Sequence, residues 1–287
     1  MLTMVKNKAY QLGLYEKAMP ATLSWLEKLN QTKEAGFDWL EISVDETDAK
    51  LARLAYTTLE INAIKAAMQE TGVPILTMCL SGHRKYPLGS HDEEVRNRSL
   101  EIMQKAIDLA SALGVRIIQL AGYDVYYETS DADTKALFAL NLNKCVKMAA
   151  KQGIILAFET METLFMDTCI KSMQYVELNN SPYLQIYPDV GNLTNASRIC
   201  GISLKDDLEA ANGHIAAAHL KEIIEGHYRE IPFGTGDTLY DEALEVLSKQ
   251  GVRMFTGEFW YIGSATWQAD LAFASTYLRS KIEKHIN

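Results

Sequence analysis

Short apolar runs alternate along the chain with longer segments in which apolar residues recur every three or four positions. Runs of strand length bounded by turn residues read as buried strands, and the segments of helical period between them read as crossovers. The pattern is therefore one of βαβ units on a parallel sheet. Eight strands are predicted: Tyr10–Tyr15, Trp39–Val44, Pro74–Leu80, Val115–Ala121, Ile154–Glu159, Leu184–Asp189, Ile215–Leu220 and Met254–Phe259. Ile154-Ile155-Leu156-Ala157-Phe158 is apolar at every position, as expected of a strand covered on both faces.

The helical segments carry their own boundaries. Ser90 precedes the acidic Asp92-Glu93-Glu94, after which Leu100, Met103, Ile107 and Ala110 run to Gly114. Asp131 opens a segment with Leu137, Leu140, Cys145 and Met148 that closes at Gly153, and Asp237 opens another with Ala243, Leu244 and Leu247 before Gly251. Acidic first turns complement the helix dipole, and glycine accepts the left-handed conformation that ends a helix. Gly36, Gly72, Gly114, Gly153 and Gly251 each stand a few residues before a predicted strand, so one helix-to-strand turn is used repeatedly. No linker or charge block divides the chain, and no glycine-rich dinucleotide fingerprint follows an early strand. The pattern predicts an α/β fold, a (β/α)8 TIM barrel, as one domain over residues 1–287.

Composition narrows the class of partner. The 287 residues are 48% hydrophobic and 23% charged, with a formal net charge of -9. An acidic balance argues against nucleic acid and membrane surfaces and leaves a small molecule as the expected partner. Cys79, Cys145, Cys169 and Cys200 have no clip spacing and read as buried thiols. Met1-Leu2-Thr3-Met4-Val5-Lys6 leads into no apolar signal run, and the expected location is cytoplasmic.

In such a barrel the chemistry lies at the carboxyl ends of the strands, where the loops converge. Strand five ends at Glu159, strand six at Asp189, strand seven near His219 and strand eight at Glu258. Any one of these alone reads as a helix cap, a solvated loop residue or a satisfied core histidine. Four at consecutive strand ends is a different matter, since carboxylates gathered in low dielectric repel unless a cation joins them. Three oxygen donors and one imidazole suit one divalent ion such as Mn2+, Co2+ or Zn2+. Secondary candidates for substrate binding are His83 and Arg84 after strand three, Glu41 and Gln119 within strands two and four, and Lys221 and Arg229 after strand seven. Gly234-Thr235-Gly236 could offer backbone N–H groups to a phosphate. Tyr123, Tyr126 and Tyr127 read as a pocket wall or as packing.

The sequence resembles the L-ribulose-5-phosphate and L-xylulose-5-phosphate 3-epimerases of the xylose-isomerase-like barrel superfamily. The resemblance runs over nearly the whole chain. It includes Gly13-Leu14-Tyr15-Glu16-Lys17-Ala18, Ser43-Val44-Asp45-Glu46-Thr47-Asp48, Met78-Cys79-Leu80-Ser81 with His83-Arg84, Gln119 to Tyr127, Tyr187-Pro188-Asp189-Val190-Gly191-Asn192 and Pro232-Phe233-Gly234. It implies that Glu159, Asp189, His219 and Glu258 are metal ligands and that a ketose phosphate is epimerised at C3 by two-base proton transfer through an enediolate. Glu159 and Glu258 would be the bases, and the enzyme would be a homodimer. The chain departs from the expected pattern at Glu222 and Glu162, where aspartates are expected. An aldose–ketose isomerase on the same barrel, moving hydrogen between C1 and C2, is the alternative.

Overall fold

The structure is a computed structural model and describes residues 8–286. The Met1–Lys6 segment, read above as no signal run, lies outside the described residues. Eight strands form one parallel sheet: β1 (Gln11–Tyr15), β2 (Trp39–Val44), β3 (Ile75–Leu80), β4 (Ile117–Ala121), β5 (Ile155–Glu159), β6 (Leu184–Ile186), β7 (Ala218–Leu220) and β8 (Met254–Gly257). Each predicted strand is present. Helices α1 (Trp25–Glu34), α2 (Asp48–Leu51), α3 (Thr58–Thr71), α4 (Glu93–Leu113), α5 (Ala132–Gln152), α6 (Cys169–Asn179), α7 (Val190–Cys200), α8 (Leu204–Ala210), α9 (Tyr240–Lys249) and α10 (Trp267–Ile282) fill the connections.

Neighbouring strands pair in sequence order, and β1 pairs with β8 through Gln11–Met254 to Leu14–Gly257. The remaining seam, between β6 and β7, is joined by parallel bridges at Ile186–Ile215 and Asp189–His219. The Ile186 N–H donates to His214 O at 2.8 Å, and the His219 N–H donates to Pro188 O at 2.9 Å. β6 and β7 are shorter than predicted. Pro188 has no amide hydrogen for a ladder, and the second bridge joins two residues whose side chains are committed to the site.

The helix termini follow the chemistry read from the sequence. Asp131 caps α5 through the Asp133 and Thr134 N–H groups, while Asp92 rather than Ser90 caps α4. Gly36, Gly72, Gly114, Gly153 and Gly251 all take left-handed φ, between 66° and 86°. Two readings are corrected. α9 starts at Tyr240, because the Asp237 N–H is held by Ile223 O in the preceding loop. Leu140 faces solvent, and α5 buries Thr134, Phe138, Asn141, Leu142, Cys145, Val146 and Ala149 instead.

The main core lies between the sheet and its helices, and a smaller one fills the barrel interior around Ile117, Ala157, Tyr187 and Ala217. The next layer toward the carboxyl ends of the strands is polar, with Glu41, Thr77, Gln119, His219 and Thr256 all fully buried. Burying that much hydrogen-bonding capacity is costly unless it is used, and it is the floor of the site described next.

Candidate metal centre and active site

Glu159 is the last residue of β5, where the apolar run Leu156-Ala157-Phe158 gives way to the mouth of the barrel. Asp189 is the N-cap of α7. One oxygen, Oδ1, accepts the Asn192 N–H at 2.7 Å, and the other, Oδ2, is buried with no hydrogen-bond partner. Capping thus uses one oxygen of this carboxylate and leaves the other available to a cation. His219 is the central residue of β7 and Glu258 directly follows β8, its N–H bonded to Leu220 O at 3.0 Å.

These four residues offer one ligand atom each, all within 4.8 Å of one another. His219 Nδ1 stands 3.5 Å from Glu159 Oε1, 3.6 Å from Glu258 Oε2 and 3.9 Å from Asp189 Oδ2. His219 Nδ1, Asp189 Oδ2 and Glu258 Oε2 are all buried without a hydrogen-bond partner. No hydrogen bond joins these three atoms although they face one another, an arrangement that a shared cation satisfies. Lys221 Nζ lies 3.0 Å from Asp189 Oδ2 and 3.3 Å from Glu258 Oε2. It is one ammonium against four buried carboxylates, Glu41, Glu159, Asp189 and Glu258, so the donor set fits a divalent ion on grounds of charge as well as chemistry.

The surroundings treat the carboxyl groups unequally. Burial raises Asp189 to about 7 against the opposing pull of Lys221, and burial followed by the Glu258 charge raises Glu159. At Glu258 the effect of burial is outweighed by Lys221 and His219, which hold it well below the ordinary carboxylate range. His219 is raised despite burial, chiefly by Glu41 and Glu258.

Glu41 and Gln119, predicted as substrate contacts, hydrogen-bond members of this cluster. Glu41 accepts a hydrogen bond from His219 Nε2 at 2.7 Å through Oε1 and one from Thr77 Oγ1 at 2.6 Å through Oε2. Gln119 Nε2 donates to Glu159 Oε2. Lys221, Arg84 and Arg229 line the cavity over the cluster, together with Tyr15, Lys17, Cys79, Ser81, Met161, Glu162, Asn192, Tyr228 and Trp260. His83 does not line it. Its ring is buried against α4, with Nε2 3.1 Å from Ser99 O. The Gly234 cradle is also corrected. The Gly234 N–H is donated to Glu222 Oε2 at 2.7 Å and the Thr235 N–H to Pro232 O at 3.2 Å, so these donors are spent within the loop. Glu222 likewise organises that loop rather than the cavity.

Residues 29–277 match the xylose isomerase-like TIM barrel family. The chain belongs to that family. Among relatives in this xylose isomerase-like family, the L-ribulose-5-phosphate 3-epimerase UlaE of Salmonella paratyphi A is 40% identical over 279 residues, 97% of each chain. The protein of the same name from Salmonella typhimurium is 40% identical over 96% of each. The solved D-psicose 3-epimerase of Clostridium cellulolyticum H10 superposes with a TM-score of 0.78 at 16% identity, covering 95% of this chain and 99% of the other. An L-ribulose 3-epimerase superposes with a TM-score of 0.75 at 18% identity, covering 96% and 95%. The structural likenesses show the barrel fold, and the family match rests on the sequence.

Sequence reasoning missed Tyr15, Lys17, Ser81, Asn192, Tyr228 and Trp260 as cavity residues. The strand-end rule applied to strands one and three would have pointed to Tyr15, Lys17 and Ser81. Nothing local marks Tyr228, which a long loop carries over the mouth. Among the described residues no helix is long and apolar enough to cross a membrane.

Proposed function

We propose that this chain is an L-ribulose-5-phosphate 3-epimerase that interconverts L-ribulose 5-phosphate and L-xylulose 5-phosphate. The observation that carries the reading is the placement of two cavity-lining carboxylates, Glu159 and Glu258, about His219 Nδ1, at 3.5 and 3.6 Å. The name shared by relatives 40% identical across the chain supports it.

A C3 epimerase takes the hydrogen beside the C2 ketone and returns a proton to the opposite face, which calls for one base and one acid on opposite sides of the carbon. Glu159 and Glu258 come from β5 and β8 and supply those two groups. Burial and the Glu258 charge raise Glu159, while Lys221 and His219 lower Glu258, so the two carboxyl groups stand in unlike surroundings, and their roles as base and acid exchange in the reverse direction. Gln119 fixes the rotation of the Glu159 carboxylate and Lys221 that of Glu258. Asp189 and His219 complete the ligand set with Glu159 and Glu258. A bound Mn2+, Co2+ or Zn2+ would supply Lewis acidity toward the ketone. Tyr15, Met161 and Trp260 wall the cavity and limit water around the exposed carbanion. A cytoplasmic homodimer is part of the same proposal, to be checked by sedimentation equilibrium.

The test is an assay on L-ribulose 5-phosphate in 2H2O after chelation and after restoring each metal, with products identified. The expected outcome is metal-dependent L-xylulose 5-phosphate carrying deuterium at C3. Glu159→Gln and Glu258→Gln should each lose about 10²–10⁴-fold in kcat with the fold intact. An aldose product would assign aldose–ketose isomerisation instead, and exchange absent at C3 would exclude the two-base scheme.

A further inference from the structure

A second cavity, of about 250 Å³, lies between the long loop after β7, the segment after β8 and the start of α10. It shares Trp260 with the cavity over the metal ligands and none of the other residues of that lining. Four aromatic side chains face it: Phe233, Phe259, Trp260 and Phe273. Phe233 and Phe259 meet edge to face with centroids 5.4 Å apart, and Phe273 stacks with Tyr277 at 6.0 Å, so these rings are held by their neighbours. Phe273 is nonetheless 57% exposed, and the cavity is open to solvent along that edge. A dry cavity of roughly 150 Å³ accepts a benzene ring, so this one has room for a phenyl group on a short chain.

The charge of the lining is one-sided. Beyond the aromatic and aliphatic groups it holds Ser264 and two carboxylates, Glu230 and Asp270, and no lysine, arginine or histidine. Among the described residues neither carboxylate has a side-chain hydrogen bond or an ion pair. Elsewhere the acids at cavities are answered by cations: Glu16 by Lys28, Lys50 and Arg53, Asp189 and Glu258 by Lys221, Glu162 by Arg229. Arg229 directly precedes Glu230 but lines the other cavity, and Glu230 takes a left-handed φ of 62°, uncommon for a residue of its kind. Asp270 stands in the first turn of α10, where the helix dipole favours the ionised carboxyl group. Aromatic faces and carboxylates attract the same ligand, a cation carrying apolar surface, and both disfavour an anion.

We propose that this cavity is a second ligand site, for a small organic cation: an amine with an aromatic or branched alkyl body, its apolar part among the phenylalanine rings and its charge toward Glu230 and Asp270. The site stands whether or not the epimerase reading does.

The probe is phenethylammonium, titrated into the metal-supplemented protein at pH 7 and followed by ligand-observed NMR. Phenethyl alcohol serves as the neutral counterpart and 3-phenylpropionate as the anion. The ammonium should bind about 10-fold more tightly than the alcohol, and the anion more weakly than either. The double variant Glu230→Gln with Asp270→Asn should bring the ammonium to within about twofold of the alcohol. Phe273→Ala should weaken ammonium and alcohol alike, by about 3- to 10-fold. All three substituted residues are exposed, so the variants should melt close to wild type. Ammonium and alcohol binding equally to wild type would overturn the proposal, as would an ammonium that does not bind. Ammonium binding unchanged in the double variant and in Phe273→Ala would place the probe at the carboxylates of the metal centre and overturn it too.

Discussion

Glu41 Oε1 accepts the hydrogen of His219 Nε2 at 2.7 Å, in a layer of the barrel where both side chains are fully buried. The bond leaves His219 Nδ1 facing Glu159, Asp189 and Glu258. A carboxylate behind a ligating histidine fixes its tautomer and strengthens it as a donor. Thr77 holds the second oxygen of Glu41, so the support is itself supported. Glu41→Gln should therefore weaken metal binding about 10- to 100-fold, measured by calorimetry on the chelated protein. Turnover should recover at saturating metal; metal affinity equal to wild type would show that Glu41 only fills the barrel.

The two oxygens of Asp189 do different work, and substitution separates them. Asparagine keeps an N-cap acceptor for the Asn192 N–H, whereas alanine removes it. Asp189→Asn should lose metal affinity while the chelated protein melts no lower than wild type, because one of several mutually repelling buried carboxylates is gone. Asp189→Ala should lose metal affinity and also about 1 kcal/mol of stability. Equal melting of the two chelated variants would mean that the cap contributes nothing.

His83 predicts a dependence of stability on pH. Burial lowers its pKa from 6.5 to about 4, so the folded protein keeps the ring neutral where the unfolded chain protonates it. The unfolded state then binds more protons between these values, and stability falls as pH falls from 6.5 toward 4. By pH 5 the loss is about 2 kcal/mol from this group. Chemical denaturation of wild type and His83→Gln at pH 7 and pH 5 should show the difference between them shrinking at the lower pH by that amount; parallel losses would refute it.

Gly13 is required by close approach. A Cβ built there meets the Trp39 indole at 2.4 Å, in a part of the barrel where Trp39 is fully buried and paired in register with Gly13. Gly13→Ala should destabilise by about 1–3 kcal/mol through overpacking. A melting temperature unchanged from wild type would show that Trp39 can move aside.

Periodicity by itself determined the eight strands, the helices between them and the glycine-terminated turns, because these depend on local propensity and on which positions must be buried. It also located Glu159, Asp189, His219 and Glu258, since a barrel brings all strand ends to one mouth. Only the tertiary structure decided what each side chain faces. Glu41 and Gln119 turned out to brace His219 and Glu159, His83 to anchor a turn, and Glu222 to use up the donors of Gly234 and Thr238. Lys17, Ser81 and Tyr228 became neighbours of the site through separate loops. Strand spacing carries no information about such pairings, because each is made between residues far apart in the chain and is fixed by the closure of the barrel.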